Sequence, residues 1–156
     1  MEATVLRAAE VSDAEAIAAL SGDLGYPVDP PTMAARLSRI LKDPNHRLLV
    51  AIQKPSVVAG WIHGFLTQLV ESDFRVEIGG LVVGHRFQRR GIGTLLVRRL
   101  EVWAANQGAV EVSVRCQTRR EEAHRFYQAL GFQLTKTQHV FRRRWDASNE
   151  ALEFPR

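Results

Sequence analysis

A chain of 156 residues with 46% hydrophobic and 24% charged residues has the balance of one ordinary globular domain with a sizeable core. Its longest apolar runs, such as residues 48–52, fall far short of the roughly 20 residues a membrane-spanning helix needs, and its one cysteine, Cys116, excludes an internal disulfide and a multi-cysteine zinc site. The net charge of +4 is uneven: residues 1–78 hold 7 Lys+Arg against 10 Asp+Glu, which leaves 14 against 7 for residues 79–156.

In that second half every basic residue but Lys136 is arginine. Guanidinium groups fork onto phosphate oxygens, so a phosphorylated ligand and a merely solvated basic surface both stay open. The opening "MEATVLRAAE" lacks a basic stretch before an apolar run, so no signal peptide is expected and the cytoplasm is the expected compartment.

In chain order, "TVLRAA" reads as a first strand. Ser12 with Glu15 is expected to box the start of a helix through Ala14, Ile17, Ala18 and Leu20. A Gly/Pro-dense loop follows, and Thr32 is expected to cap a second helix bearing Met33, Leu37, Ile40 and Leu41. "RLLVAIQ" and "SVVAGWIHGFLTQLV" predict two strands joined at Lys54–Pro55, and "FRVEIGGLVVG" predicts a third. Strict alternation along this third strand would set Glu77, Gly79, Leu81 and Val83 on one face, with Val76, Ile78, Gly80 and Val82 on the other.

From Gly91 the period changes. Ile92, Leu95, Leu96, Leu100 and Trp103 recur at helical spacing up to a stop at residues 106–108. "AVEVSVRC" is the next strand, and Thr118 with Glu121 is expected to box a last helix whose apolar face is Ala123, Phe126, Tyr127 and Leu130. "FQLTKTQHVFRRRW" predicts one or two closing strands. The order β-α-α-β-β-β-α-β-α-β, with no repeat or linker, predicts a single-domain mixed α/β (α+β) fold, a sheet flanked by helices.

The junction Gln88-Arg89-Arg90-Gly91-Ile92-Gly93 combines a strand end, two arginines, two bare glycines and a helix start. The first-turn N–H groups of a helix have no internal acceptor, and the helix dipole adds positive potential there. That suits a pyrophosphate, although a basic loop with two glycines is also consistent with a plain turn. A dinucleotide-binding fingerprint would need a third glycine at position 96, which is Leu, and a Walker loop would need Gly-Lys-Ser/Thr.

Strand, Gln88-Arg89-Arg90-Gly91-Ile92-Gly93, helix, strand and then Phe126-Tyr127-Gln128-Ala129-Leu130-Gly131-Phe132 on a last helix resembles the GCN5-related N-acetyltransferase (GNAT) superfamily, over about residues 4–145. The resemblance implies the acyl-CoA N-acyltransferase fold, with a mainly antiparallel sheet. It also implies acetyl-CoA as acetyl donor and no metal. In the cofactor site it implies Gln88, Arg89, Arg90, Gly91, Ile92, Gly93 and Thr94 at the pyrophosphate, and Leu81, Val82 and Val83 pairing their backbone with the pantetheine arm. Phe126 joins the same site. Arg120 stands where many relatives carry asparagine, so its contact would be with a phosphate. Tyr127 is implied as general acid for the coenzyme A thiolate and Glu77 as general base for the amine, with His85 and His124 as lesser candidates for the base. A route through Cys116 lacks a basic partner in the sequence.

What the resemblance implies for activity is direct acetyl transfer to a primary amine on a small molecule or a protein, without nucleic-acid or membrane partners and with a homodimer allowed. A non-catalytic acyl-CoA-binding domain and an arginine-based nucleic-acid module are the alternatives. The acceptor would be chosen by the loop around Asp23 and Asp29 and by residues 71–75.

Overall fold

The computed structural model describes residues 3–53 and 55–145. Contacts divide the chain between Gln117 and Thr118 into two compact units. The first carries β1 (Thr4–Ala8), α1 (Ala14–Asp23), α2 (Pro30–Ile40), β2 (His46–Gln53), β3 (Val57–Thr67), β4 (Arg75–Val83), α3 (Ile92–Asn106) and β5 (Glu111–Val114). Its sheet runs in the order β1-β2-β3-β4-β5. All pairs are antiparallel except β4 with β5, which α3 connects as a crossover.

Each face of the sheet has its own apolar cover. Ile17, Ala18, Met33 and Leu37 from α1 and α2 pack with Leu48, Val50 and Trp61. On the other face Leu96, Val97 and Leu100 of α3 are fully buried. A Cβ at Gly64 would lie 2.7 Å from both Leu100 methyls, so the bare α-carbon is what lets α3 close on β3.

In the first unit the elements lie where the periodicity put them, but the caps differ. Glu10 and Asp13, rather than Ser12 and Glu15, form the capping box ahead of α1. Asp29 caps α2, accepting from Thr32 N and Thr32 Oγ1, with Pro30 in the first turn. This spends Asp29 as a structural acceptor. Proline preset in helical φ starts the helix earlier than the apolar pattern alone indicates.

Alternation on β4 is broken by a bulge. His63 pairs with Gly80 and Gly64 with Ile78, which leaves Gly79 unopposed. A Cβ at Gly79 would meet His63 and Phe65, and one at Gly80 would meet the Trp61 ring, so both glycines look toward the same face. Leu81 and Val83 therefore lie on the face opposite to Glu77, not beside it.

The second unit is built on α4 (Glu121–Ala129). Arg120, without a side-chain cap bond, occupies its N-cap, so the Thr118–Glu121 box does not form. The helix closes as Phe132 N donates to Tyr127 O and Gly131 N to Gln128 O, with Gly131 at φ 96°. Residues 132–145 form no strand. The segment reads as strand by sequence, but a strand needs a partner backbone; Leu134 and Phe141 remain 79% and 92% exposed. Among the described residues no helix is long and apolar enough to cross a membrane.

Candidate functional site

The first unit presents an uncapped helix start. Gly91, at φ 81°, is the N-cap of α3 and offers no side chain to its first turn. Leu95 N is bonded to Gly91 O, so the N–H groups of Ile92, Gly93 and Thr94 have no acceptor within the helix. A Cβ at Gly91 would meet nothing within 4 Å, so there is open space beside the N-cap. Ile92 is buried and anchors the turn, while Gly93 and Thr94 are half-buried.

The loop before it is strained and basic. Arg89 holds φ 63°, a left-handed conformation that costs a side-chain-bearing residue about 1–2 kcal/mol. Gln88 ties the loop to the strand, its Nε2 donating to Val83 O at 3.2 Å. The guanidinium carbons of Arg86 and Arg90 lie 5.3 and 5.8 Å from the Phe87 ring centroid. Arg86 was not singled out by motif reading, because it falls before the glycine signature; the Phe87 platform is what groups it with Arg90. A cavity of about 330 Å³ lies beside the loop, lined by Leu20, Asp23, Val57, Val58 and residues 84–87, and it takes in His85.

Beyond the loop, β4 offers a free edge. Its parallel pairing with β5 runs from Arg75↔Glu111 to Ile78↔Val114 and stops there. From the Gly79 bulge to Val83 the edge away from β3 has no strand partner among the described residues. Leu81 and Val83 are half-buried on this edge and Val82 is buried. An extended amide-bearing ligand laid along this edge would pair as an added strand does.

Two polar groups flank the bulge. Glu77, 14% exposed at its side chain, binds Arg115 Nε at 2.9 Å through Oε1. His63 lies across from Gly80, with its Nε2 2.8 Å from His46 Nδ1. Burial, and then the charge of His46, push the His63 pKa down to about 4. Neither histidine was singled out from the sequence; they are 17 residues apart and meet only through the β2–β3 register.

In the second unit Tyr127 is buried, with its ring 5.0 Å from Phe126 and 5.3 Å from Phe132, both edge-on. The spacing of tyrosine to Gly-Phe is thus the spacing of the helix stop itself, since Phe132 folds back on Tyr127. Arg120 borders a cavity of about 420 Å³ with Arg119, Arg125 and Glu121. His124 lies half-buried on α4.

Residues 14–132 match the model of the acetyltransferase (GNAT) family. No curated protein sequence matches the chain. Among solved structures, a transcriptional regulator from Bacillus halodurans is 22% identical, with TM-score 0.80 over 90% of this chain and 99% of its own. The aminoglycoside 6'-N-acetyltransferase AAC(6')-Ih from Acinetobacter baumannii is 19% identical, with TM-score 0.81 over 92% of this chain and 100% of its own. AAC(6')-Iy, solved with the bisubstrate analog CoA-S-monomethyl-acetylneamine, is 20% identical, with TM-score 0.80 over 91% of this chain and 99% of its own.

Proposed function

The chain belongs to the GNAT acetyltransferase family, and from that premise we propose that it is a cytoplasmic, acetyl-CoA-dependent N-acetyltransferase acting on a primary amine by direct attack. The observation that carries this reading is the continuity of the uncapped α3 start with the free edge of β4. One end suits a pyrophosphate and the other an extended amide arm, which are two successive parts of coenzyme A.

The donor, when bound, supplies an acetyl group as an activated thioester. The N–H groups of Ile92, Gly93 and Thr94 hold the pyrophosphate, and Arg86, Arg89 and Arg90 add positive charge around it. Backbone groups of Leu81, Val82 and Val83 bind the pantetheine arm, and an N–H on that edge polarises the thioester carbonyl. As the family resemblance implies, Arg120 serves a phosphate and Phe126 belongs to the cofactor-binding set. Tyr127 gives its hydroxyl proton to the departing sulfur. Glu77, one oxygen already bound to Arg115, receives the ammonium end of the acceptor and orients it.

Amines of aminoglycoside type are the first acceptors to try, because two neighbours of this fold carry that name or ligand. Purified protein would be given acetyl-CoA and a panel of aminoglycosides, polyamines, amino acids and lysine peptides, with thiol release followed and products weighed by mass spectrometry. Amine-dependent release with an acetylated product is the expected result. Coenzyme A binding without turnover on any amine would instead mark a binding domain, and salt-sensitive oligonucleotide binding without coenzyme A affinity a nucleic-acid module.

A further inference from the structure

Beside the bulge of β4 the sheet carries a cluster of three rings that the cofactor site does not use. His46 and His63 stack at 5.1 Å, and Phe65 lies 5.7 Å from His46 and 5.9 Å from His63. His46 Nε2 is 3.7 Å from Asp43 Oδ2, at ion-pair distance. His46 Nδ1 and His63 Nε2 share one hydrogen bond of 2.8 Å.

Asp43, at 3.7 Å, lies beyond hydrogen-bond reach of His46 Nε2, but its negative charge attracts a hydrogen there. With hydrogen on that nitrogen, His46 Nδ1 is a lone pair, His63 Nε2–H donates to it, and His63 Nδ1 is bare. That atom borders the one place on β4 where the chain bulges and the side chain is missing: a Cβ at Gly79 would lie 3.0 Å from it. Gly79 is exposed, so the space above it is open to an incoming molecule. Pairing of β4 with β5 stops one residue earlier, at Ile78, so the free edge proposed for the thioester arm begins at this glycine.

Resting on the transferase reading, we infer that Asp43, His46 and His63 form a proton-accepting chain for the acceptor amine, entered at His63 Nδ1. His63 Nδ1 takes a proton from the ammonium, and the Nε2 proton of His63 passes to His46 Nδ1. His63 ends neutral, as its burial demands, and the positive charge rests on His46 beside Asp43, from which it drains to solvent. The neutral nitrogen then bonds to the acetyl carbon as the carbon–sulfur bond breaks. The sulfur keeps that electron pair and takes a proton from Tyr127. The acylated nitrogen loses its second proton to solvent, and solvent restores Tyr127. His63 is the catalytic residue of the chain; His46 and Asp43 act through it as positioning residues.

On β4, Arg75 faces Glu111 at 3.8 Å and Glu77 is bound to Arg115, the residue just past β5. On β2, His46 is a member of the chain, with Asp43 in the turn before it, while Arg47 pairs across to Gly64 and its buried Nε has no hydrogen-bond partner among the described residues.

The full-length protein tests this in two ways. Long-range ¹H–¹⁵N NMR of histidine-labelled protein at pH 7 reads the tautomers; protonated Nε2 with bare Nδ1 on His63 is expected, and the reverse overturns the chain. With neamine and spermidine as probe amines, His63→Gln lowers kcat/KM about 100-fold at pH 7. The gap closes toward about pH 10.4, where about half of a lysine-like alkylamine is neutral unaided. His46→Gln gives a smaller loss with the same pH dependence.

Gly79→Ala keeps both rings and sets a methyl against Nδ1; it carries the same pH-dependent loss and serves as the test if His63→Gln does not fold. Wild-type rates in His63→Gln at pH 7, or a pH-dependent loss that appears only in Glu77→Gln, would overturn the chain and leave the transferase reading standing. Wild-type protein that acetylates no amine would overturn that reading, and the chain with it.

Discussion

Replacing Gly91 by alanine isolates what the start of α3 does. Gly91 sits at φ 81° with nothing within 4 Å of its missing Cβ. The penalty within the protein is therefore conformational alone, about 1–2 kcal/mol for alanine in the left-handed region. For a chain of this size each kcal/mol lowers Tm by about 2–4 °C, so Tm should fall by about 2–8 °C. Gly108 supplies a matched control. It stands at φ 87°, also with nothing within 4 Å, just past the other end of the 15-residue α3, about 22 Å away at 1.5 Å per residue. Gly108→Ala should cost the same stability. Only Gly91→Ala, which puts a methyl in the open space beside the N-cap of α3, should weaken coenzyme A by at least tenfold, about 1.4 kcal/mol. Thermal unfolding and titration calorimetry with coenzyme A on both variants measure the pair. Equal coenzyme A affinity in the two would refute the reasoning, because the loop would then be a turn and nothing more.

Tyr127→Phe keeps the ring contacts with Phe126 and Phe132 and removes the hydroxyl; kcat should fall roughly 100-fold with coenzyme A affinity unchanged, by steady-state kinetics and calorimetry. Wild-type turnover would make this tyrosine a packing residue. Asp13 takes two hydrogen bonds from Arg7, both 2.8 Å, and one from Glu10 N. The Arg7 bond chiefly holds its carboxyl below the usual carboxylate range, against burial. A depressed carboxylate contributes stability above its unfolded value near 3.9, and that contribution is lost as pH falls through the folded value. Asp13→Asn should therefore cost about 2–3 kcal/mol at pH 7 in denaturant unfolding, and the difference from wild type should shrink below about pH 4; a pH-independent difference would contradict this.

What the sequence by itself determined about this protein is what lies within a turn or two of the chain. Ile92, Leu96 and Leu100 recur with the period of α3, and Gly91 stands where only a bare residue turns left-handed cheaply, so the helix and its uncapped start are both local facts. Phe126, Tyr127, Gly131 and Phe132 are local in the same way, as one helix and its stop. The caps were local too, but several nearby Ser, Thr, Asp and Glu side chains compete for each helix start, and the box ahead of α1 went to Glu10 and Asp13 while Asp29 took α2. Tertiary structure alone decided the rest. The Gly79 bulge is a mismatch between β3 and β4 that neither strand reveals separately, and it moved Leu81 and Val83 to the face opposite Glu77. Arg115 reached Glu77, and His46 reached His63, through strand registers spanning many residues. Residues 132–145 read as closing strands, yet a strand exists only where another backbone answers it, and pairing is a property of the sheet rather than of the segment.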